Sequence, residues 1–168
     1  LTQMKKRSRN LRQPFSRLEK ATRFPAKVIY WNFNSNRHLK AWCIKLAKTL
    51  LAIGAAMGAL AVAIGAFGAH GLEGRVSERM LENYQTGVQY HMFHALGIIA
   101  VGLTATVIGG SALLGWAGGL MLFGTIVFSG SLYTMALTGM TWLGAITPIG
   151  GVAFITGWIL LMIAAFKL

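Results

Sequence analysis

At 168 residues the chain is 55% hydrophobic, carries 21 glycines and has a mean hydropathy of +0.57, too apolar a balance for a water-soluble domain of this length. Its formal net charge of +12 would ordinarily point to nucleic acid, but residues 1–48 hold thirteen Lys or Arg against one Glu, and residues 49–168 hold three of each sign. A basic flank joined to a neutral apolar body is no folded basic face with interleaved aromatics, which argues against nucleic acid as a partner.

Residues 1–43 form a basic N-terminal extension that contains two of the three prolines and no apolar periodicity long enough for a core. The segment reads as disordered or loosely bound to a membrane surface, with Trp31, Phe33 and Trp42 at headgroup level and about 1 kcal/mol from each basic residue. An organelle transit peptide and an over-extended translation start, Met4 being the first methionine, are the other readings. Four apolar stretches follow, at 44–69, 88–108, 112–137 and 147–166. A helix crosses a hydrocarbon core in about 20 residues, so each stretch is long enough to span. The expected fold is all-α: a polytopic membrane protein whose residues 44–168 form a compact bundle of four transmembrane helices. The short alternating segments of a β-barrel are absent from the sequence.

In the first span Gly54, Gly58, Ala61, Gly65 and Gly68 recur at steps of four and three, which puts them on one helical face where another helix can approach closely. Gly115 and Gly119 repeat the device in the third span. His70 ends the first span, and Gly71 is the expected left-handed stop. The five charged residues between positions 50 and 166, Glu73, Arg75, Glu78, Arg79 and Glu82, follow as one island. Ser77 is the expected cap of a helix that runs on into the membrane, with Glu78 favourable at its positive end. Along that helix Glu78, Glu82, Gln85 and Gln89 make a polar stripe facing headgroups or solvent. Tyr84, Gly87, His91 and His94 make a second stripe, in which Gly87 leaves room beside a tyrosine and two histidines. Further on, Trp116 and Trp142 fit interfacial belts, while Trp158 falls mid-span and is expected to pack inside. Pro148 stands near the start of the fourth span, where its missing N–H costs little.

The positive-inside rule keeps the basic flank in the cytoplasm, or in the matrix of a mitochondrial protein. Four crossings return the C-terminus, with Lys167, to the same side. The expected location is therefore the cell inner (plasma) membrane with both termini cytoplasmic, the mitochondrial inner membrane being the alternative. Cys43 lies on that reducing side and has no cysteine to pair with in the chain. His70, Tyr84, His91, His94, Ser131 and Tyr133 then gather in the outer half of the bundle and are the candidate ligand-binding residues. His91 and His94, at i and i+3, can share a zinc, copper, iron or nickel ion, with His70 as a third nitrogen. The competing reading has them hydrogen-bonding to carbonyls, waters or headgroups, and has Ser129, Ser131 and Tyr133 linking helices. No GxSxG, Walker loop, CxxC or intramembrane carboxylate is present, so neither catalysis nor a cofactor is expected. The expected partners are the lipid bilayer and a homo-oligomer or larger membrane complex.

Four phrases, GAFGAHGL at 65–72, YQTGVQYHMFHAL at 84–96, FSGSLY at 128–133 and ITPIGG at 146–151, occur in order between apolar spans. Together they closely resemble the domain-of-unknown-function 423 family, small multi-pass inner-membrane proteins of bacteria with a related small animal transmembrane protein. The resemblance covers residues 45–168 and implies a four-span helical protein, no established activity and no catalytic residues. Members usually begin close to the first span, so the N-terminal extension is a departure. Two functions stand open: a non-enzymatic accessory or assembly component of the inner membrane, and a small-molecule or metal site at the outer face used in transport, sensing or redox support. A channel-like oligomer finds no charged pore lining to support it.

Overall fold

The computed structural model describes residues 26–166, with side chains from residue 37 onward. The expectations for residues 1–25, for the side chains of Trp31 and Phe33, and for Lys167 lie outside the described residues. The elements are α1 (Ala26–Gly71), α2 (Glu78–Ile108), α3 (Ala112–Thr138), a 3-10 turn (Thr141–Ala145) and α4 (Thr147–Ala165), with no strand among the described residues. Four helices are long and apolar enough to cross a membrane, as expected.

α1 begins at Ala26 and runs without interruption through residues 26–43, which contain neither Pro nor Gly. Two local expectations give way. The left-handed residue after α1 is Gly74, at φ +72°, and not Gly71, which stays in the last turn with the Phe67 ring against it. Buried Leu72 anchors the turn instead, its carbonyl accepting from the N–H groups of Arg75 and Val76. Ser77 does precede α2 in an extended conformation, but its hydroxyl makes no capping bond; the backbone carbonyl takes the N–H groups of Met80 and Leu81. Pro148 sits in the first turn of α4, as expected.

From Lys40 onward the chain forms one compact unit. Gly110 abuts Cys43, and Gly68 abuts Tyr84, so α1 and α2 run antiparallel. Gly87 faces Tyr133 and Gly97 faces Met121, which sets α3 antiparallel to α2, while Gly150 against Phe128 and Gly157 against Met121 do the same for α4 and α3. The central helices are α2 and α3, in whose most apolar windows 44% and 39% of residues are buried, against 17% for α1 and 22% for α4. The outward faces carry exposed Leu103, Val107, Ile126, Val152 and Ile155, a surface suited to lipid tails as apolar as they are. Trp116 and Trp142 are exposed, and Trp158 is half-buried among the helices. Inside, Leu50, Ile98, Val101, Leu114, Met121 and Ala164 belong to one apolar cluster, and Leu72, Tyr84 and Ala136 form another near the charged loop. Buried His91, His94, Thr125 and Ser129 lie along α2 and α3 between them.

The glycine stripe of α1 faces α2. A Cβ on Gly54 would lie 2.6 Å from the Ile99 side chain and 3.0 Å from the Ala95 carbonyl, one on Gly65 would lie 3.1 Å from Val88, and one on Gly68 would strike the Tyr84 ring. Gly58 borders open space. In α3 the packing glycines are not the expected Gly115 and Gly119. Gly119 is exposed with nothing near it and Gly115 meets only Leu46, whereas Gly118 seats Leu50 and Gly124 seats Phe154. A helix that is apolar on every side has no polar stripe to mark which face turns inward.

The closest approach of a glycine to a neighbouring helix's backbone joins α3 to α4. A Cβ on Gly150 would lie 2.7 Å from the Phe128 backbone nitrogen and 2.9 Å from the Gly124 carbonyl, so only backbone movement could admit it. Gly150→Ala is therefore expected to cost about 1–3 kcal/mol of stability. Gly119→Ala, in open space, is expected to stay within ~0.5 kcal/mol. Unfolding of both variants in one detergent compares them, and equal losses would show that the Gly150 contact does not set the α3 to α4 spacing.

Candidate functional site: a buried polar cluster and an aromatic cleft

Tyr84 is buried, lays its ring on Gly68 and donates its hydroxyl to the Ile64 carbonyl of α1 at 2.9 Å. Its ring lies 4.9 Å from that of Tyr133 on α3, tilted by 47°. Tyr133 fills the room that Gly87 leaves, since a Cβ there would come within 2.8 Å of its ring. The gap read from the α2 stripe thus serves a tyrosine on the facing helix. The Tyr133 hydroxyl stands 3.2 Å from His91 Nδ1. Assigning the phenol as donor leaves the imidazole proton on Nε2. That Nε2 is buried and faces the Met57 backbone of α1 without a hydrogen bond of acceptable geometry. Ser129 Oγ, one turn before Tyr133, is likewise buried and lies beside the phenol at the edge of hydrogen-bonding geometry. Buried polar atoms almost always have a partner, ordered water included, so two in one layer mark a place where a small polar species would be stabilised.

His94 differs from His91 in every contact. Its Nδ1 donates to the Tyr90 carbonyl at 2.7 Å, its Nε2 accepts from the Trp158 indole N–H of α4 at 3.2 Å, and its ring stacks on Phe154 with centroids 3.4 Å apart and planes at 11°. With both nitrogens engaged, no lone pair is left for a metal in this arrangement. The i, i+3 pair therefore serves two interfaces, His91 towards α1 and α3 and His94 towards α4. Among the described residues no three His, Cys, Asp or Glu side chains are grouped to hold a metal ion. His70 is exposed at the end of α1, and Ser131 Oγ donates to the Phe128 carbonyl of its own helix at 2.9 Å. Of the six candidates, the structure brings together Tyr84, His91 and Tyr133, adds Ser129, and leaves His94, His70 and Ser131 elsewhere.

Rings, not small residues, separate α2 from α4. The helices leave a cleft of ≈ 620 Å³, lined among others by Gln89, Tyr90, Phe93, Phe128, Phe154 and Trp158. Ring centroids stand 4.5 Å apart for Tyr90 and Phe128, and 5.6 Å apart for Phe93 and Trp158. Exposed Tyr90, Phe93 and Ile155 rim the cleft, and exposed Gln89 provides its polar end. Small-molecule sites commonly measure roughly 300–1,000 Å³ and are mostly apolar with a few polar groups. Sequence reasoning missed this site. Tyr90 and His94, and Phe154 and Trp158, do stand four residues apart in the sequence, a spacing that stacks rings on one helix face.

Residues 64–151 match the family described as protein of unknown function (DUF423). Over 120 residues the chain is 50% identical to the UPF0382 membrane protein YwdK of Bacillus subtilis, an alignment covering 71% of this chain and 98% of that protein. It is 48% identical over 120 residues to the UPF0382 membrane protein SERP0230 of Staphylococcus epidermidis, and 47% identical over 120 residues to SH2409 of Staphylococcus haemolyticus, covering 71% of this chain and 97% of each relative. No solved structure matches. With a family match across more than half its length, near-complete coverage of relatives named as membrane proteins, and four helices fit to span a bilayer, the chain belongs to the DUF423 family of membrane proteins.

Proposed function

We propose that this protein is a non-enzymatic membrane protein that binds a small lipophilic molecule carrying an unsaturated ring, held in the cleft between α2 and α4. The cleft itself carries the reading: an aromatic slot of ≈ 620 Å³ with Gln89 at one end. Rings in offset or edge contact contribute about 0.5–1.5 kcal/mol per pair beyond burial, so a planar guest gains from several walls at once. The Gln89 amide offers both a donor and an acceptor to a carbonyl or hydroxyl on the guest. The acidic side chains from Lys40 onward, Glu73, Glu78 and Glu82, all belong to the charged loop and the first turns of α2, which favours binding over acid–base chemistry. A second reading, an accessory or assembly component of a larger complex, draws on Gly115 and Gly119 beside exposed Trp116. Gly119 borders open space and Gly115 meets only Leu46, so this face has room for a further helix. The proposed location is the plasma membrane, with the end bearing Lys40, Lys45 and Lys48 in the cytoplasm.

Native mass spectrometry of protein extracted gently from its own membrane is expected to show one lipophilic organic molecule per chain. Gly151→Leu points a side chain into open space lining the cleft, and is expected to abolish that adduct without lowering thermal stability. An adduct-free parent would overturn the ligand reading, while a stoichiometric protein partner lost in Gly119→Leu would establish the second. His94→Ala strips the Trp158 N–H of its acceptor and Phe154 of its stacking partner, with an expected loss of about 2–4 kcal/mol. A chelator is expected to leave the parent's unfolding unchanged, and a chelator-sensitive transition would restore the metal reading. For orientation, membrane-impermeant maleimide applied to intact cells in a Cys43→Ser background is expected to label Arg75→Cys and spare Lys40→Cys; the reverse pattern would invert the topology.

A further inference from the structure

At the end of the bundle remote from the charged loop, α1 and α2 part to leave a second groove of ≈ 340 Å³, lined among others by Lys40, Ala47, Lys48, Leu51, Ala105 and Thr106. We propose that this groove is a binding site for an anionic phospholipid, with its phosphate held by Lys40 and Lys48 and one acyl chain laid along Ala47, Leu51 and Ala105. The site is separate from the aromatic cleft and does not depend on it.

The groove exists because the helices touch above and below it and meet only small residues between. Towards the α2 to α3 connection, Cys43 Sγ donates to the Gly110 carbonyl at 3.4 Å. About two turns deeper, Gly102 receives the Leu51 side chain, where a Cβ would lie 3.0 Å from its Cγ. Between these contacts stand Ala47 and Ala105, both buried and too short to fill the space out to the surface. Lys40 and Lys48 are two helical turns apart on α1, both exposed and both on the wall of this one groove. Long lysine stems lie readily along apolar surface while the ammonium reaches the polar boundary. From Lys40 onward every described acidic side chain, Glu73, Glu78 and Glu82, belongs to the opposite end of the bundle, about a membrane thickness away. Among the described residues the groove therefore joins positive charge with no acidic side chain near it to an apolar floor. A soluble anion has no use for the floor and a zwitterionic lipid little use for two lysines, whereas an anionic phospholipid uses both.

The test uses the full chain, purified in a non-ionic detergent so that charge-dependent membrane insertion plays no part. Native mass spectrometry follows titration with phosphatidylglycerol or phosphatidylcholine of matched acyl chains. The parent is expected to retain one phosphatidylglycerol with a preference of roughly ten- to thirtyfold over phosphatidylcholine. That preference should vanish in Lys40→Gln/Lys48→Gln and persist in Arg75→Gln/Arg79→Gln. Thr106→Phe keeps both lysines and fills the groove, and should weaken phosphatidylglycerol retention by about tenfold. Helical circular dichroism and unfolding temperature matching the parent confirm that the variants are folded. Equal retention of the two lipids, a preference that survives Lys40→Gln/Lys48→Gln, or retention untouched by Thr106→Phe would each overturn the proposal. Displacement of the lipid by millimolar inorganic phosphate would make this a soluble-anion site and overturn it as well.

Discussion

α3 and α4 meet backbone to backbone at Gly124 and Gly150, with the Phe154 and Phe128 side chains folded around the crossing. In lipid no water-driven collapse pulls helices together, so their spacing is set by how closely backbones can come and by what stands between them. Fixing α4 this tightly on α3 places Phe154 and Trp158 at a set distance from α2. His94 then closes the gap by stacking on one and bonding to the other. On the other flank Gly54, Gly65 and Gly68 bring α1 onto α2 by the same means. Small residues thus draw α1 onto α2 and α4 onto α3, and rings prop α2 and α4 apart.

Placing two histidines one turn apart on α2 lets one residue type do two jobs. His94 has a donor bond, an acceptor bond and a stacked ring, and functions as a rivet between helices. His91 has one partner in Tyr133 and a buried second nitrogen with none. In a low-dielectric interior an unmet polar group is costly, and a fully satisfied network rigidifies what it joins. The bundle therefore has a stiff interface at α4 and, around His91 and Ser129, a more loosely bonded polar layer at α1 and α3.

The spans were legible in the sequence because hydrocarbon thickness imposes a length that composition alone reveals, and the inward face of α2 was legible because Glu82, Gln85 and Gln89 contrast with Tyr84, Gly87, His91 and His94. α3 offers no such contrast. Gly118 and Gly119 are a hundred degrees apart on a helix that is apolar all round, and periodicity gave no reason to prefer Gly118. The polar cluster was half legible: Tyr84, His91 and Tyr133 were named, but which serine joined them depends on the rotation of α3, and it is Ser129. The cleft was illegible because its walls come from α2, α3 and α4, and a sequence does not announce which helices stand apart. The turn after α1 follows buried Leu72 and not the first available glycine, a tertiary preference that overrides a local signal.

The cleft between α2 and α4 has its rim at Phe93 and Ile155, exposed apolar residues within the spans and suited to lipid tails. A guest of the proposed site would be drawn from its concentration within the bilayer, where each buried methylene enriches a solute by about 0.8 kcal/mol relative to water. A modest intrinsic affinity is then enough for high occupancy by a sparingly soluble molecule, and a dissociation constant referred to the aqueous phase would mostly report partitioning. Among guests of equal fit the slot would rank them by lipophilicity first, leaving shape and the Gln89 amide to discriminate between those already dissolved in the membrane.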